Sequence, residues 1–226
     1  MLAKIFSSTV VGLSAIPVTV EVDVADGLPG VTIVGLPDTT VRESKDRIKS
    51  ALKNSQFAWP QSRITVNLAP ADVRKEGSAF DFPIALGLLV ASRQLEPSFF
   101  ADSVVLGELA LDGTLRPVPG VLPITLALTG GTKKLLLPAA NAPEAAVVDG
   151  VAVYPIHHLN QAISFLKGTE KLEPLKLSLD KVFGSICPDE MDFSKVKGQQ
   201  VAKRAIEVAV IFGVDIFHSV PPGRRR

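Results

Sequence analysis

The segment 17–25 alternates apolar and polar side chains, and this alternation constrains the fold more than any other feature of the sequence. Valines fall on every second position, with threonine, glutamate and aspartate between them. Because successive side chains of a strand point to opposite faces, the pattern predicts a half-buried strand with one face toward a core. We expect a partner strand at 8–13, a turn near residues 14–17, and a further strand at 31–36.

Two later segments have helical patterns. Thr40 and Glu43 have the spacing of a capping box, and the helix that follows places Val41 and Ile48 on its apolar face and Arg47 on its wet face. Residues 82–92 are apolar almost all round, which predicts a buried helix with Pro83 in its first turn.

The rest of the chain mixes strands and helices. We expect strands at 63–68, 104–109, 114–118, 134–137 and 151–156, and helices at 120–128, 143–148 (capped by Asn141) and 159–167. Strands interspersed with helices predict the α/β (α+β) class, with a mixed sheet covered by helices.

Composition excludes several classes of protein. Hydrophobic residues make up 46% of the chain, enough for a sizeable core, and the formal net charge of +1 gives no global attraction to nucleic acid or anionic membrane. The longest apolar run, residues 82–91, is about half of the roughly 20 residues that a spanning helix needs. With Cys187 as its one cysteine and no secretion signal, the chain is predicted to be cytoplasmic.

Three regions are predicted. Residues 1–167 hold the strand and helix units, residues 168–190 have the Lys, Glu and Pro content of a linker, and residues 191–226 begin a new module with an amphipathic helix at 198–210.

Several ordered strings resemble the Mg-chelatase-like AAA+ ATPases of the ComM/YifB type. The strings are residues 1–4 (MLAK), 32–38 (TIVGLPD), 51–55 (ALKNS), 63–70 (RITVNLAP), 74–78 (RKEGS), 80–87 (FDFPIALG), 106–111 (LGELAL), 115–122 (LRPVPGVL) and 192–199 (DFSKVKGQ). The resemblance runs from residue 1 to about residue 213.

The resemblance implies a Lon-protease-like N-terminal domain, a mixed sheet with helices that ribosomal proteins also use as their domain 2. It implies a following AAA+ module that binds ATP and Mg²⁺ and assembles as a ring. The family's role is ATP-driven DNA branch migration and processing in natural transformation (competence). Residues 191–226 hold only the start of that module, so the chain resembles a truncated family member.

The family's phosphate-binding loop is degenerate at the end of this sequence. Pro221, Pro222 and Gly223 match the pattern GPPGSGKT, but Val220 replaces its first glycine, and Arg225 and Arg226 replace its later glycine and its lysine. Such a loop needs glycine amides to wrap the phosphates, a lysine charge and a hydroxyl for Mg²⁺. We therefore expect no bound cofactor for this chain, although the family uses ATP and Mg²⁺.

The resemblance to Lon also raises the possibility of a second activity, that of a Ser–Lys peptidase. The alignment with Lon places Ala79 at the nucleophile, one residue from Ser78, and Pro123 at the lysine. Since a serine needs a nearby base to become a nucleophile, we expect no catalytic residue here.

The polar loop 72–78 precedes the buried helix, and Asp81 stands near the start of that helix. The loop is either a contact site for DNA or another domain, or an ordinary approach to a helix whose dipole favours Asp81. His157 and His158 are adjacent, without Cys, Asp or Glu at ligand spacing, so a surface pair is favoured over a metal site.

The sequence thus predicts a non-catalytic N-terminal domain of a ComM/YifB-type ATPase, with DNA and self-association as its partners. The alternatives are an active ATPase or helicase, an active Lon-like peptidase, and a Mg-chelatase subunit acting on a porphyrin. No small-molecule substrate and no membrane partner is expected.

Overall fold

The computed structural model describes residues 1–100, 102–131, 134–177 and 198–212. Contacts divide the chain into two compact units, Met1–Leu179 and Asp180–Arg226. More than half of the predicted linker lies outside the described residues, so the predicted domain limits stay predictions. Within the first unit, the backbone N–H of Leu175 donates to the carbonyl of Val153 at 2.8 Å.

The first unit is a mixed α/β structure. Its strands are β1 (Leu2–Val11), β2 (Ser14–Ala25), β3 (Gly30–Val34), β4 (Arg63–Ala69), β5 (Ser103–Val105), β6 (Glu108–Leu109), β7 (Leu115–Arg116), β8 (Lys134–Pro138) and β9 (Ala152–Ile156). Its helices are α1 (Thr39–Asn54), α2 (Asp81–Ala91), α3 (Val121–Ala127), α4 (Ala142–Ala145) and α5 (Leu159–Leu166). In the second unit the described residues contain α6 (Gln200–Phe212).

Seven of the strands form one mixed sheet in the order β3-β4-β2-β1-β5-β8-β9, and β6 pairs with β7 separately. One core packs α1, α2 and α5 against one face of this sheet, and a second packs α3 and α4 against the other face of β5, β8 and β9. The alternation of side chains divides β5 and β8 between the two: Val105 and Leu136 join the first core, and Val104 and Leu135 the second. The predicted α/β sheet with helices is confirmed.

Helix α2 is central to the first core, and all its residues are buried, as its continuous apolar sequence predicts. It packs directly on β1 and β2. Gly87 permits this approach, because a Cβ added there would lie 2.6 Å from Cγ2 of Val22 on β2.

Strands β1 and β2 form an antiparallel hairpin. The two hydrogen bonds between Met1 and Val24 determine which residues of β1 bond to β2. Met1 donates to the carbonyl of Val24 at 2.7 Å, and the N–H of Val24 donates back to Met1 at 3.4 Å. Antiparallel strands alternate between pairs that exchange both bonds and pairs that exchange none, so odd-numbered residues of β1 bond to β2. Ser8 is an even-numbered residue and faces Pro17, which has no N–H to donate.

The opposite edge of β1 is paired at one position only. Phe6 faces Val104 of the parallel strand β5, and no further register pair joins the two strands. After Val105 the chain turns toward the start of α2, where the Gly107 N–H donates to Ala79 and the Gly107 carbonyl accepts from Phe82, both at 3.0 Å. The sheet therefore splits between the carboxyl ends of β1 and β5.

Several local predictions were wrong, three of them in the backbone of the first unit. The turn of the first hairpin lies at Gly12 and Leu13 rather than at 14–17, because β2 keeps its register with β1 back to Ser14. The predicted strand 104–109 is interrupted where Gly107 bonds to the start of α2. The helix cap at Thr40 is replaced by Asp38, whose Oδ1 accepts from the Val41 N–H at 2.8 Å.

Asn141 stands at the N-cap position of α4, as predicted, but its side chain makes no cap hydrogen bond there. Its side chain instead bonds both backbone groups of Val118, with the N–H of Val118 donating to Oδ1 and Nδ2 donating to the carbonyl, each at 2.9 Å. A buried amide satisfied on both sides joins the loop before α3 to the start of α4.

Candidate functional site

The first residue of α2 is held in a buried ion pair. Nε of Arg47 donates to Oδ2 of Asp81 at 2.7 Å, and Nη2 of Arg47 donates to Oδ1 at 2.9 Å. The Asp81 side chain is only 1% exposed, and its Oδ2 also accepts from the N–H of Leu109 at 3.3 Å. This two-point geometry ties α1, α2 and β6 together.

Burial dominates the electrostatics of this pair. It raises the pKa of Asp81 to about 6, against the opposing effect of the Arg47 guanidinium. The hydrogen bond to Asp81 raises the pKa of Arg47 above its usual value. Near pH 7 both groups are charged, so the pair acts as a fixed ionic contact.

Asp81 was expected to be an ordinary first residue of a helix, favoured by the helix dipole, but its main contacts are with Arg47 and Leu109. The prediction that Arg47 stays wet was wrong. The Arg47 side chain is 22% exposed, because its guanidinium turns inward to Asp81 and donates to the Thr40 carbonyl at 3.1 Å. Helical spacing placed Arg47 beside the apolar face but gave no sign of a partner far along the chain.

Ser78 belongs to the same polar cluster. Its hydroxyl donates to Oε2 of Glu108, and Oε1 of Glu108 lies 3.6 Å from Nη1 of Arg116. A hydroxyl that donates to a carboxylate engaged with an arginine is anchored and receives no activation from a lysine amine.

The residues aligned with a Lon dyad do not form one. Ala79 lines a cleft and has no nucleophilic atom, and Pro123 lies within α3 and has no amine. The lysine close in sequence, Lys75, is fully buried, and its Nζ donates to the carbonyl of Pro70. Burial lowers the pKa of Lys75. The sequence gave no sign of this burial, because the neighbours of Lys75 are charged.

A cleft of about 860 Å³ lies beside the end of β1. One wall is the end of β1, residues 8–12, and another is the loop 72–80. Pro119, Gly120 and Ile124 form a third wall at the start of α3. The predicted contact loop therefore lines this cleft, at the carboxyl end of β1, and the edges at strand ends are where ligands of open sheets commonly bind.

The charges that line this cleft are mostly acidic. Asp38, Asp72 and Glu76 are the carboxylates, and Arg74 is the guanidinium, 3.1 Å from Glu76. The second oxygen of Asp38 accepts from the Gly77 N–H at 3.2 Å, which fixes the loop to the start of α1. An excess of carboxylates disfavours nucleic-acid phosphates, so the acidic lining argues against DNA contact at this surface.

In the pair of adjacent histidines, His158 has a structural role. Nδ1 of His158 accepts from the N–H of Asn160 at 3.1 Å, and Nε2 lies 2.9 Å from the carbonyl of Asp112. Both ring nitrogens of His158 are thus engaged with backbone groups. Across the described ranges, no group of three His, Cys, Asp or Glu side chains is arranged to hold a metal ion.

The degenerate phosphate loop at Pro221, Pro222 and Gly223 lies outside the described residues, so its expected loss of nucleotide binding stays a prediction.

Within the described part of the chain, none of the helices combines the length and apolar character needed to cross a bilayer.

Comparison with known proteins gives the same family as the sequence strings. The chain is 43% identical to the competence protein ComM of Haemophilus influenzae over 98% of its own length, but it covers only 44% of ComM. It is 39% identical to the YifB protein of Escherichia coli, again over 98% of its length and 43% of YifB. The chain therefore spans less than half the length of these relatives.

A shorter similarity connects the chain to proteases. It is 37% identical to the Lon protease of Paraburkholderia phytofirmans over 36% of its own length and 10% of that protein.

A family model described as subunit ChlI of Mg-chelatase matches residues 20–141, more than half of the chain. The chain thus belongs to the Mg-chelatase ChlI family, as a homologue of ComM and YifB.

Proposed function

We propose that the first unit is a proteolytically inert, Lon-protease-like domain of a ComM-type ATPase that processes DNA. The similarity to a competence protein and to a Lon protease supports the two parts of this proposal. The observation that carries the inert part is the hydroxyl of Ser78, which donates to Glu108 beside an alanine where a Lon nucleophile would stand.

The domain's polar residues support an assembly role over catalysis. Arg47, Asp81 and the backbone of Leu109 hold three elements together without exposing a reactive atom. In this proposal the domain assists self-association or DNA contact of the whole ATPase, and the DNA contact lies away from the acidic cleft.

ATP and Mg²⁺ enter the proposal only through the rest of such an ATPase. Val220, Arg225 and Arg226 stand where the loop needs two glycines and a lysine, so this chain's residues do not fit the nucleotide. We expect no Mg-ATP binding by the chain at millimolar nucleotide in calorimetry, and saturable binding would contradict this.

The domain role is tested by a fusion. Residues 1–212 are joined to the part of Haemophilus influenzae ComM that begins at the position matched to residue 213, so that ComM supplies the phosphate-binding loop. ATP-driven branch migration of a synthetic four-way DNA junction is compared with that of the same ComM part alone. We expect migration from the fusion, also with Ser78→Ala, and at least tenfold less from the ComM part. Equal activity of the two proteins would refute the proposed role.

A further inference from the structure

We propose that the acidic cleft binds an extended, positively charged peptide segment of a partner protein, which adds as a strand to the free edge of β1. This inference goes beyond the proposed function, because it concerns a protein partner and requires neither ATP nor DNA.

The backbone of β1 supplies the first argument. Odd-numbered residues of β1 bond to β2, so the N–H and carbonyl of Val10 point to the opposite edge. Strand β5 pairs with β1 only at Phe6, and no described residue is recorded bonding to the backbone of Val10 on that edge. An unpaired strand edge is a template for another extended chain.

The position of this edge supplies the second argument. Ser8, Thr9, Val10 and Val11 all line the cleft of about 860 Å³, so the edge opens into a space that can hold a short peptide. Gly120 forms the facing wall, with a φ of +77°, and a Cβ added there would lie 2.9 Å from Cγ2 of Val10. The start of α3 therefore approaches β1 closely without covering its backbone edge with a strand.

The charges of the cleft indicate which peptide would bind. Three carboxylates and one guanidinium line the cleft, and Asp72 is exposed and interacts electrostatically with the buried Lys75. Lysine or arginine side chains on the incoming strand would meet these carboxylates, whereas phosphates would be repelled. A strand with basic residues thus satisfies both the backbone edge and the charged wall.

The test uses the full chain and a defined probe, an acetylated hexapeptide amide that alternates lysine and valine. Amide chemical shifts are followed by NMR, and affinity is measured by fluorescence anisotropy of a labelled copy. We expect saturable shifts at residues 8–12 and 72–78, and slower hydrogen exchange of the Val10 amide in the complex. The same peptide with glutamate in place of lysine is expected to bind at least tenfold more weakly.

Two variants separate charge from folding. Asp72→Lys is expected to weaken binding of the lysine peptide about fivefold or more, and Asp46→Lys, an exposed site on α1 outside the cleft, is expected to leave it unchanged. An N-methylated peptide that cannot pair with a strand is expected not to bind.

Three results would overturn the proposal. Equal binding of the lysine and glutamate peptides would remove the role of charge, and shifts confined to another surface would remove the role of the β1 edge. Binding of an oligothymidylate at the same amides would assign the cleft to nucleic acid. None of these results depends on branch migration, so the proposed function is tested separately.

Discussion

The segment 72–81 borders two regions that treat polar groups in opposite ways. On the α1 side, the carboxylate of Asp81 is satisfied by Arg47 and Leu109, and Ser78 is satisfied by Glu108. On the β1 side, no strand among the described residues pairs with the backbone edge at Val10, and Asp72 is exposed. The first region is closed on itself, and the second leaves groups for another molecule.

The difference follows from what burial costs. A buried charge without a partner loses several kcal/mol of solvation, so the α1 side is stable only because its groups pair with one another. Exposed groups keep their water and need no internal partner. Buried ion pairing therefore marks the structural region here, whereas the cleft keeps its charges exposed to solvent, including the Arg74–Glu76 pair.

The largest effect is expected from Arg47→Ala, which leaves Asp81 buried without its guanidinium. We expect a loss of about 3–5 kcal/mol in the free energy of unfolding, measured by urea denaturation at pH 7. Arg42→Ala on the exposed face of the same helix is the matched control, with a change within about 0.5 kcal/mol. A loss of less than about 1 kcal/mol for Arg47→Ala would show that the pair does not hold the region together.

The pH dependence of stability sharpens the same point. The pKa of Asp81 rises from 3.8 to about 6 on folding, so the folded chain binds more protons between these values. The contribution of Asp81 to stability is therefore greatest below about pH 4 and falls by about 2–3 kcal/mol as the pH rises through 6.

Urea denaturation across this range, beside ¹³C NMR titration of the Asp81 carboxyl, measures the effect. In Asp81→Asn this pH-dependent contribution is expected to vanish. A carboxyl that titrates below its usual value would show that the ion pair outweighs burial.

A smaller effect is expected at the wall of the cleft. Gly120→Ala places a Cβ against Val10 at a positive φ, and we expect a loss of about 1–3 kcal/mol in the free energy of unfolding. Gly130→Ala, at a φ of +91° with open space around its Cβ, is the control for backbone strain alone. Equal losses for the two variants would mean that the approach of α3 to β1 is not tight.

The smallest effect is expected from Ser78→Ala. Loss of the hydrogen bond to Glu108 should lower the free energy of unfolding by about 0.5–1.5 kcal/mol. A fluorophosphonate probe, detected by mass spectrometry, should leave Ser78 of the unaltered chain unlabelled. Labelling that disappears in Ser78→Ala would reveal an activated serine and contradict the anchored hydroxyl.

Periodic patterns predicted most of the fold correctly. The alternation of residues 17–25 and the apolar run of residues 82–92 correspond to β2 and the wholly buried α2, because side-chain burial follows the repeat of the backbone. Patterns of this kind depend only on neighbours along the chain. Caps and turns were less predictable. Thr40 and Asp38 can both cap a helix, and in the folded chain Asp38 is the residue that does so.

The candidate site depended on the tertiary structure. Sequence alone determined that Ala79 and Pro123 could supply neither a nucleophile nor an amine, because their chemistry is fixed by residue type. It did not determine that Arg47 reaches Asp81, that Lys75 is buried, or that β1 and β5 separate after Phe6. These features join residues far apart in the chain, and their energies depend on burial and distance, which exist only once the sheet and helices have packed.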